Sequence, residues 1–77
     1  MKQLLEFLVK GIAGTEDFEI EEASEGGRTE YIVHANSDYV GKIIGKDGKT
    51  VRAIRNLLKV RATLEKKAVG LSVIEKE

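Results

Sequence analysis

The chain contains no cysteine and only one histidine, His34. The first absence excludes disulfides and thiolate zinc sites. The second leaves too few ligands for a histidine metal cluster and rules out a triad built on a cysteine nucleophile. Aromatic side chains are scarce, two Phe and two Tyr with no Trp, so they cannot form a stacking platform for bases. Long apolar runs are missing too, and nothing approaches the ~20 residues that a membrane-spanning helix requires. The N-terminal run Leu4-Leu5-Glu6-Phe7-Leu8-Val9-Lys10 is interrupted by Glu6 and Lys10, so it reads as an amphipathic helix and not as a secretion signal. These absences predict a soluble, cytoplasmic protein with no cofactor, no metal and no membrane contact. The 77 residues are expected to form one domain over 1–77. A chain this short buries only ~60% of the surface its unfolded form exposes, and self-association would supplement so thin a core.

Net charge is also absent, because 13 basic side chains balance 13 acidic ones and the pI is about 6.6. The distribution is uneven. Residues 1–38 carry three basic and nine acidic side chains, whereas residues 39–77 carry ten basic and four acidic ones. Such a split predicts a localised basic surface, unless the two halves pair with each other.

Apolar spacing divides the chain into six elements. Leu5, Leu8, Val9 and Ile12 recur at helical intervals, which predicts a first helix over 2–12 with Gly11 and Gly14 as its stop. Phe18 and Ile20 alternate with Asp17, Glu19 and Glu21, giving a strand with one wet face. Ser24-Glu25-Gly26-Gly27 is a hairpin loop, and a second strand runs from Thr29 to Ala35 with Tyr31, Val33 and Ala35 on one face. Asn36 or Ser37 caps a short helix ending near Ile44, and a long helix covers roughly Lys49 to Lys66. Val69 to Ile74 is apolar enough for a buried strand. The order α-β-β-α-α-β implies an α+β fold, a three-stranded mixed sheet with helices packed on one face.

Between the second and third helices lies Ile43-Ile44-Gly45-Lys46-Asp47-Gly48-Lys49-Thr50-Val51, with two glycines three residues apart. Glycine reaches positive φ and lets another backbone come close. Gly48 opens a helix whose free N–H groups and positive dipole end suit a phosphate. Lys46 and Lys49 add charge, and Lys42 lies one turn earlier.

The element order and the segment Val40-Gly41-Lys42-Ile43-Ile44-Gly45-Lys46-Asp47-Gly48-Lys49-Thr50-Val51-Arg52-Ala53-Ile54-Arg55 resemble a type II KH domain, which begins with a helix and ends with a strand. The likeness extends over essentially the whole chain and is greatest to the short bacterial single-KH RNA-binding proteins of the KhpA type. It implies a non-catalytic protein that binds single-stranded RNA and acts in post-transcriptional regulation or as an RNA chaperone. The implied contacts are Val40, Gly41, Lys42, Ile44, Gly45, Lys46, Asp47, Gly48, Lys49, Val51, Arg52 and Arg55. In KH modules a G-x-x-G loop clamps the backbone of about four nucleotides. Bases would turn into a groove floored by Val40, Ile44 and Val51, walled by the second strand near Ile32 and His34. Binding by one module without aromatic stacking is expected to be modest and salt-sensitive. Asp47 opposes it, since a neutral or basic residue suits a phosphate clamp better. Two other readings remain open: a dimerisation module with little nucleic-acid affinity, and a binder of single-stranded DNA.

On a helical wheel the long helix shows a basic arc (Lys49, Arg52, Asn56, Lys59, Thr63, Lys66) and two apolar stripes. Val51, Ile54, Leu58 and Ala62 suffice to cover the sheet. The second stripe, Ala53, Leu57, Val60 and Leu64, either meets the N-terminal helix or forms an interface with another subunit. The family resemblance implies the latter, a homodimer or a heterodimer with a second KH-containing RNA-binding protein.

Other motifs carry less. Gly48-Lys49-Thr50 imitates the end of a nucleotide-binding P-loop, but Ile43 stands where that motif needs its first glycine, and no strand leads in. His34 has no accompanying nucleophile and carboxylate, so it is expected on the surface or in the groove. Glu16, Asp17, Glu19, Glu21 and Glu22 are divided between two faces of a strand and read as a solvated edge that deters aggregation. Phe18 and Tyr31 are assigned to the core, and Tyr39 is left without a role.

Overall fold

The computed structural model describes Met1 to Lys76; the C-terminal end of the expected 1–77 domain, Glu77, lies outside the described residues. The elements are α1 (Lys2–Ala13), β1 (Phe18–Glu25), β2 (Arg28–Ala35), α2 (Ser37–Ile44), a single 3₁₀ turn (Lys46–Gly48), α3 (Lys49–Leu64) and β3 (Ala68–Glu75). This is the expected α-β-β-α-α-β order, and the fold is a type II KH α+β fold.

Several boundaries differ from expectation for local reasons. Gly11 lies inside α1, and only Gly14 takes the left-handed conformation (φ 70°) that ends the helix, its N–H donating to the Lys10 carbonyl. In the hairpin, Gly26 and Gly27 both have positive φ (57° and 82°). That geometry belongs to the two-residue type I′ turn whose twist matches the strands. The ladder therefore continues through Ser24 and Glu25, to a last pair Glu25–Arg28. Of the two candidate caps for α2, Asn36 is used: its side chain accepts from the Asp38 N–H at 3.0 Å. α3 stops two residues early because Lys66 is left-handed (φ 57°). The Lys67 N–H then folds back to the Ala62 carbonyl at 2.8 Å and the Lys66 N–H to Thr63 at 3.1 Å, the double closure common at helix ends.

The strands lie in the order β1-β2-β3, with β1 antiparallel and β3 parallel to the central β2. Register aligns Ile20, Val33 and Val73, and likewise Glu22, Tyr31 and Leu71. Thr29, Tyr31, Val33 and Ala35 are buried while the residues between them are not, so β2 presents one face to the helices. Val69 and Leu71 of β3 share that face, and against it pack Leu5, Val9 and Ala13 of α1, Ile43 of α2, and Ile54, Leu58 and Ala62 of α3. Each fully buried Leu or Val, such as Leu58 or Val9, contributes roughly 1.5–3 kcal/mol through removal from water. Phe18 is only partly buried at the margin of this core, whereas Tyr31 is well inside it. Among the described residues no helix covers the other face of the sheet.

Candidate nucleic-acid interface

Ile43, fully buried, fixes α2 on the core and so fixes where its C-terminal end emerges. The residue after α2, Gly45, adopts φ 77° and ψ 173°, a region essentially restricted to glycine. A Cβ there would also lie 2.6 Å from Thr50 Cβ and 2.9 Å from the Thr50 backbone nitrogen, and closer still to Thr50 Oγ1. Thr50, which sequence reasoning left out of the site, is thus the residue against which the loop closes. The Gly48 N–H donates to the Gly45 carbonyl at 3.2 Å, completing a single turn with Lys46 and Asp47 exposed at its tip.

Asp47 itself is left-handed (φ 56°), a conformation that Asp and Asn tolerate far better than most side chains. That gives the acid at the loop tip a conformational reason to be there. Gly48, also left-handed (φ 73°), stands at the N-cap of α3 and supplies no capping side chain; the first turn of α3 contains no acidic residue. The positive end of a 16-residue helix therefore meets no side chain from its own cap or first turn, and the nearest acid in sequence is Asp47, one residue before the cap.

The surrounding cations make no ion pair: among the described residues, no carboxylate lies within 4.0 Å of the amino or guanidinium groups of Lys42, Lys46, Lys49, Arg52, Arg55 or Lys59. Several acids of the N-terminal half are engaged elsewhere. Glu16 meets Lys10 at 2.8 Å, and that hydrogen bond and charge hold its carboxyl below the ordinary value. Glu30 meets Arg28 at 2.6 Å, and Asp17 and Glu19 share Lys76. Among the described residues, only Lys76 pairs the basic half with the acidic half, so mutual neutralisation does not reach the loop. Lys42 sits 5.8 Å above the Tyr39 ring, a cation–π contact that gives half-buried Tyr39 a place in the site.

The predicted contacts lie on α2, the turn and the first half of α3, elements that pack on one another. Val40, Ile44, Val51 and Arg55 are half-buried, and Val40 and Val51 pack partly against the core. Gly41, Lys42, Lys46, Asp47, Lys49 and Arg52 are exposed, and Gly48 is partly so.

Two expectations are corrected. Ile32 and His34 alternate with the buried Tyr31, Val33 and Ala35, so they face the open side of the sheet, where His34 Nε2 lies 3.1 Å from Glu21 Oε1. They cannot wall a groove on the helix side. The strand on which α2 and α3 both pack is β3. The signal was available in the alternation that places Tyr31, Val33 and Ala35 on one face. Second, the stripe Ala53, Leu57, Val60 and Leu64 does not meet α1: Ala53 is exposed, and Leu57, Val60 and Leu64 retain 51%, 63% and 77% of their accessible surface. The loop is entered from a helix and not from a strand, which also separates Gly48-Lys49-Thr50 from a P-loop. Among the described residues no helix is long and apolar enough to cross a membrane.

Comparison with known proteins gives a consistent set of relatives. The family model described as "KhpA/KhpB, KH domain" matches residues 2–73. A protein of Thermotoga maritima named RNA-binding protein KhpA is 39% identical over 59 residues, spanning 75% of this chain and 79% of the relative. The protein of the same name from Clostridium acetobutylicum is 34% identical over 76 residues, 96% of this chain and all of the relative. That of Halalkalibacterium halodurans is 30% identical over 76 residues, 97% of this chain and all of the relative.

Proposed function

This chain belongs to the KhpA/KhpB KH-domain family, and we propose that it is a non-catalytic protein that binds short single-stranded RNA through Gly45-Lys46-Asp47-Gly48 and the adjoining surface of α2 and α3. The observation that carries this reading is the conjunction at one place of a glycine-locked turn, an uncapped α3 N-terminus and cations without carboxylate partners. Phosphates would lie against the backbone of Lys46 and Asp47, with Lys42, Lys46 and Lys49 supplying charge and Arg52 and Arg55 continuing the track along α3. Bases would rest on Val40, Ile44 and Val51, with Gly41 allowing close approach. About four nucleotides fit such a module. The cellular role that follows is post-transcriptional regulation or RNA chaperoning in the cytoplasm, by one KH domain over residues 1–77.

Lys46→Asp tests the site directly, because it places two acids at the tip without touching the core. RNA binding by fluorescence anisotropy is expected to vanish while circular dichroism and melting temperature stay unchanged. Undiminished binding would move the site elsewhere. A matched single-stranded DNA oligonucleotide measures how far the 2′-hydroxyl contributes.

The exposed second stripe of α3 supports an additional reading, self-association or pairing with a second KH-containing RNA-binding protein. Three large apolar side chains in one row, each more than half exposed, are more than a small monomer usually leaves in water. Sedimentation velocity at high micromolar concentration is expected to give a dimer. A monomer with and without RNA would remove the homodimer.

A further inference from the structure

We infer that the outer edge of β1, with the cleft between β1 and α1, docks an extended segment of a different protein in which lysine or arginine alternates with apolar residues. The segment adds to the sheet as a fourth strand. The site is separate from the proposed RNA-binding surface, because β1 is the sheet edge opposite β3, the strand on which α2 and α3 both pack.

The backbone provides the first observation. Strand order leaves β1 with a neighbour on one side only. In a hairpin closed by a two-residue turn the last pair, here Glu25 and Arg28, exchanges both of its hydrogen bonds. Every second residue back along β1 does the same, so Ala23, Glu21 and Glu19 turn their N–H and C=O groups to β2. Ser24, Glu22, Ile20 and Phe18 turn theirs outward. The Phe18 N–H agrees, since it donates to the Glu16 carbonyl at 2.8 Å and not to β2. Among the described residues, the outward groups of Ile20, Glu22 and Ser24 meet no other backbone. Such a row is a template for strand addition.

Side chains supply the second observation. Phe18 and Ile20 are half-buried and pack at the margin of the core, which places them on the helix side of β1. There they line a cleft of about 460 Å³ with Glu6, Phe7 and Lys10 of α1, a size typical of clefts that hold ligands. Phe7 keeps 75% of its surface exposed. A strand added to β1 sends alternate side chains into this cleft, where they cover the Phe7 ring. The others lie on the open face beside Glu19 and Glu21.

Charge decides the occupant. Residues 16–25 hold six acidic side chains and no basic one. Among the described residues, Glu6, Glu22 and Glu25 have no cation within 4.0 Å. A second copy would set β1 against β1 with acid facing acid, which is unfavourable across strands. Nucleic acid, a polyanion, is repelled for the same reason. A segment with cations beside Glu19 and Glu21 and apolar side chains in the cleft satisfies both faces.

The probe is a capped heptapeptide alternating lysine and valine, titrated into the ¹⁵N-labelled full chain. Glutamate–valine and lysine–serine peptides of the same length are the controls, and both should bind more weakly. The lysine–valine peptide is expected to shift the amides of Phe7 and of Phe18 to Ser24, and to slow hydrogen exchange at the Ile20 and Glu22 N–H groups. Its affinity should fall as salt is raised. Glu22→Pro removes one outward N–H at an edge position, where proline spares the β1–β2 ladder. Phe7→Ala removes a wall of the cleft at an exposed position, and keeps the test decisive should Glu22→Pro unfold. Each is expected to weaken binding about tenfold, the scale of one lost hydrogen bond or one lost ring contact. Equal binding of the glutamate–valine peptide, wild-type affinity in Phe7→Ala, or shifts confined to α3 would overturn the inference. So would the absence of any shift at millimolar lysine–valine peptide.

Discussion

Gly41 and Gly45 are four residues apart and are glycines for different reasons. A Cβ on Gly41 would meet nothing within 4 Å, whereas one on Gly45 would strike Thr50 and sit on a backbone of φ 77°. Gly45→Ala is expected to cost roughly 1–3 kcal/mol from the backbone conformation alone. At about 4–8 °C per kcal/mol for a chain of this size, the loss is visible in a thermal melt; an unchanged melting temperature would show that the turn can adopt another conformation. Asp47 separates conformation from charge. Asp47→Asn keeps a side chain that tolerates the left-handed region while removing a carboxylate some 6 Å from a bound phosphate. In water that repulsion is ~0.7 kcal/mol, so RNA affinity should rise about threefold, measured by anisotropy titration. Lower affinity for Asp47→Asn would mean that the carboxylate itself contributes to binding.

At the scale of the element, β2 carries a pH dependence that can be measured without RNA. Burial, together with the Glu22 carboxylate aligned beside it, pushes the Tyr31 hydroxyl above its ordinary value of 10.0. A raised folded-state value means that the folded protein holds this proton more tightly than the unfolded chain does. Stability from Tyr31 is therefore complete below pH ~10 and declines as pH rises through the folded-state value. Melting temperature should fall above pH ~10, and Tyr31→Phe should flatten that fall while keeping the buried ring. The same strand shows what the sequence disclosed. Alternation identified the face of Tyr31, Val33 and Ala35, and all six principal elements were legible from apolar period and the glycine turns. The end of α3 was not, because the left-handed residue that stops it is Lys66, where no glycine marks the position. The fate of the second α3 stripe was also hidden. Periodicity shows that Leu57, Val60 and Leu64 share a face, but only tertiary packing decides that α1 buries Leu5, Val9 and Ala13 elsewhere.

At the scale of the whole molecule, a chain of zero net charge keeps its cations and carboxylates apart where it matters. Acidic side chains gather on β1 and just before it, where Glu16 meets Lys10, Asp17 and Glu19 meet Lys76, and Glu21 meets His34, while α2, the turn and α3 present cations to water. The location of the loop residues was readable from Gly45, Gly48 and their lysines. The strand beside them was not, since the parallel placement of β3 next to β2 is a property of topology and not of any local segment. The open face of the sheet, with Ile32, His34 and Ile74, is the obvious competing surface. The most direct test is an amide chemical-shift titration of the ¹⁵N-labelled protein with a short single-stranded oligoribonucleotide. The account predicts that the amides from Gly45 to Val51 move first and furthest, with smaller shifts along Val40 to Ile44. Stationary amides in that segment, with shifts confined to Ile32, His34 and Ile74, would contradict it.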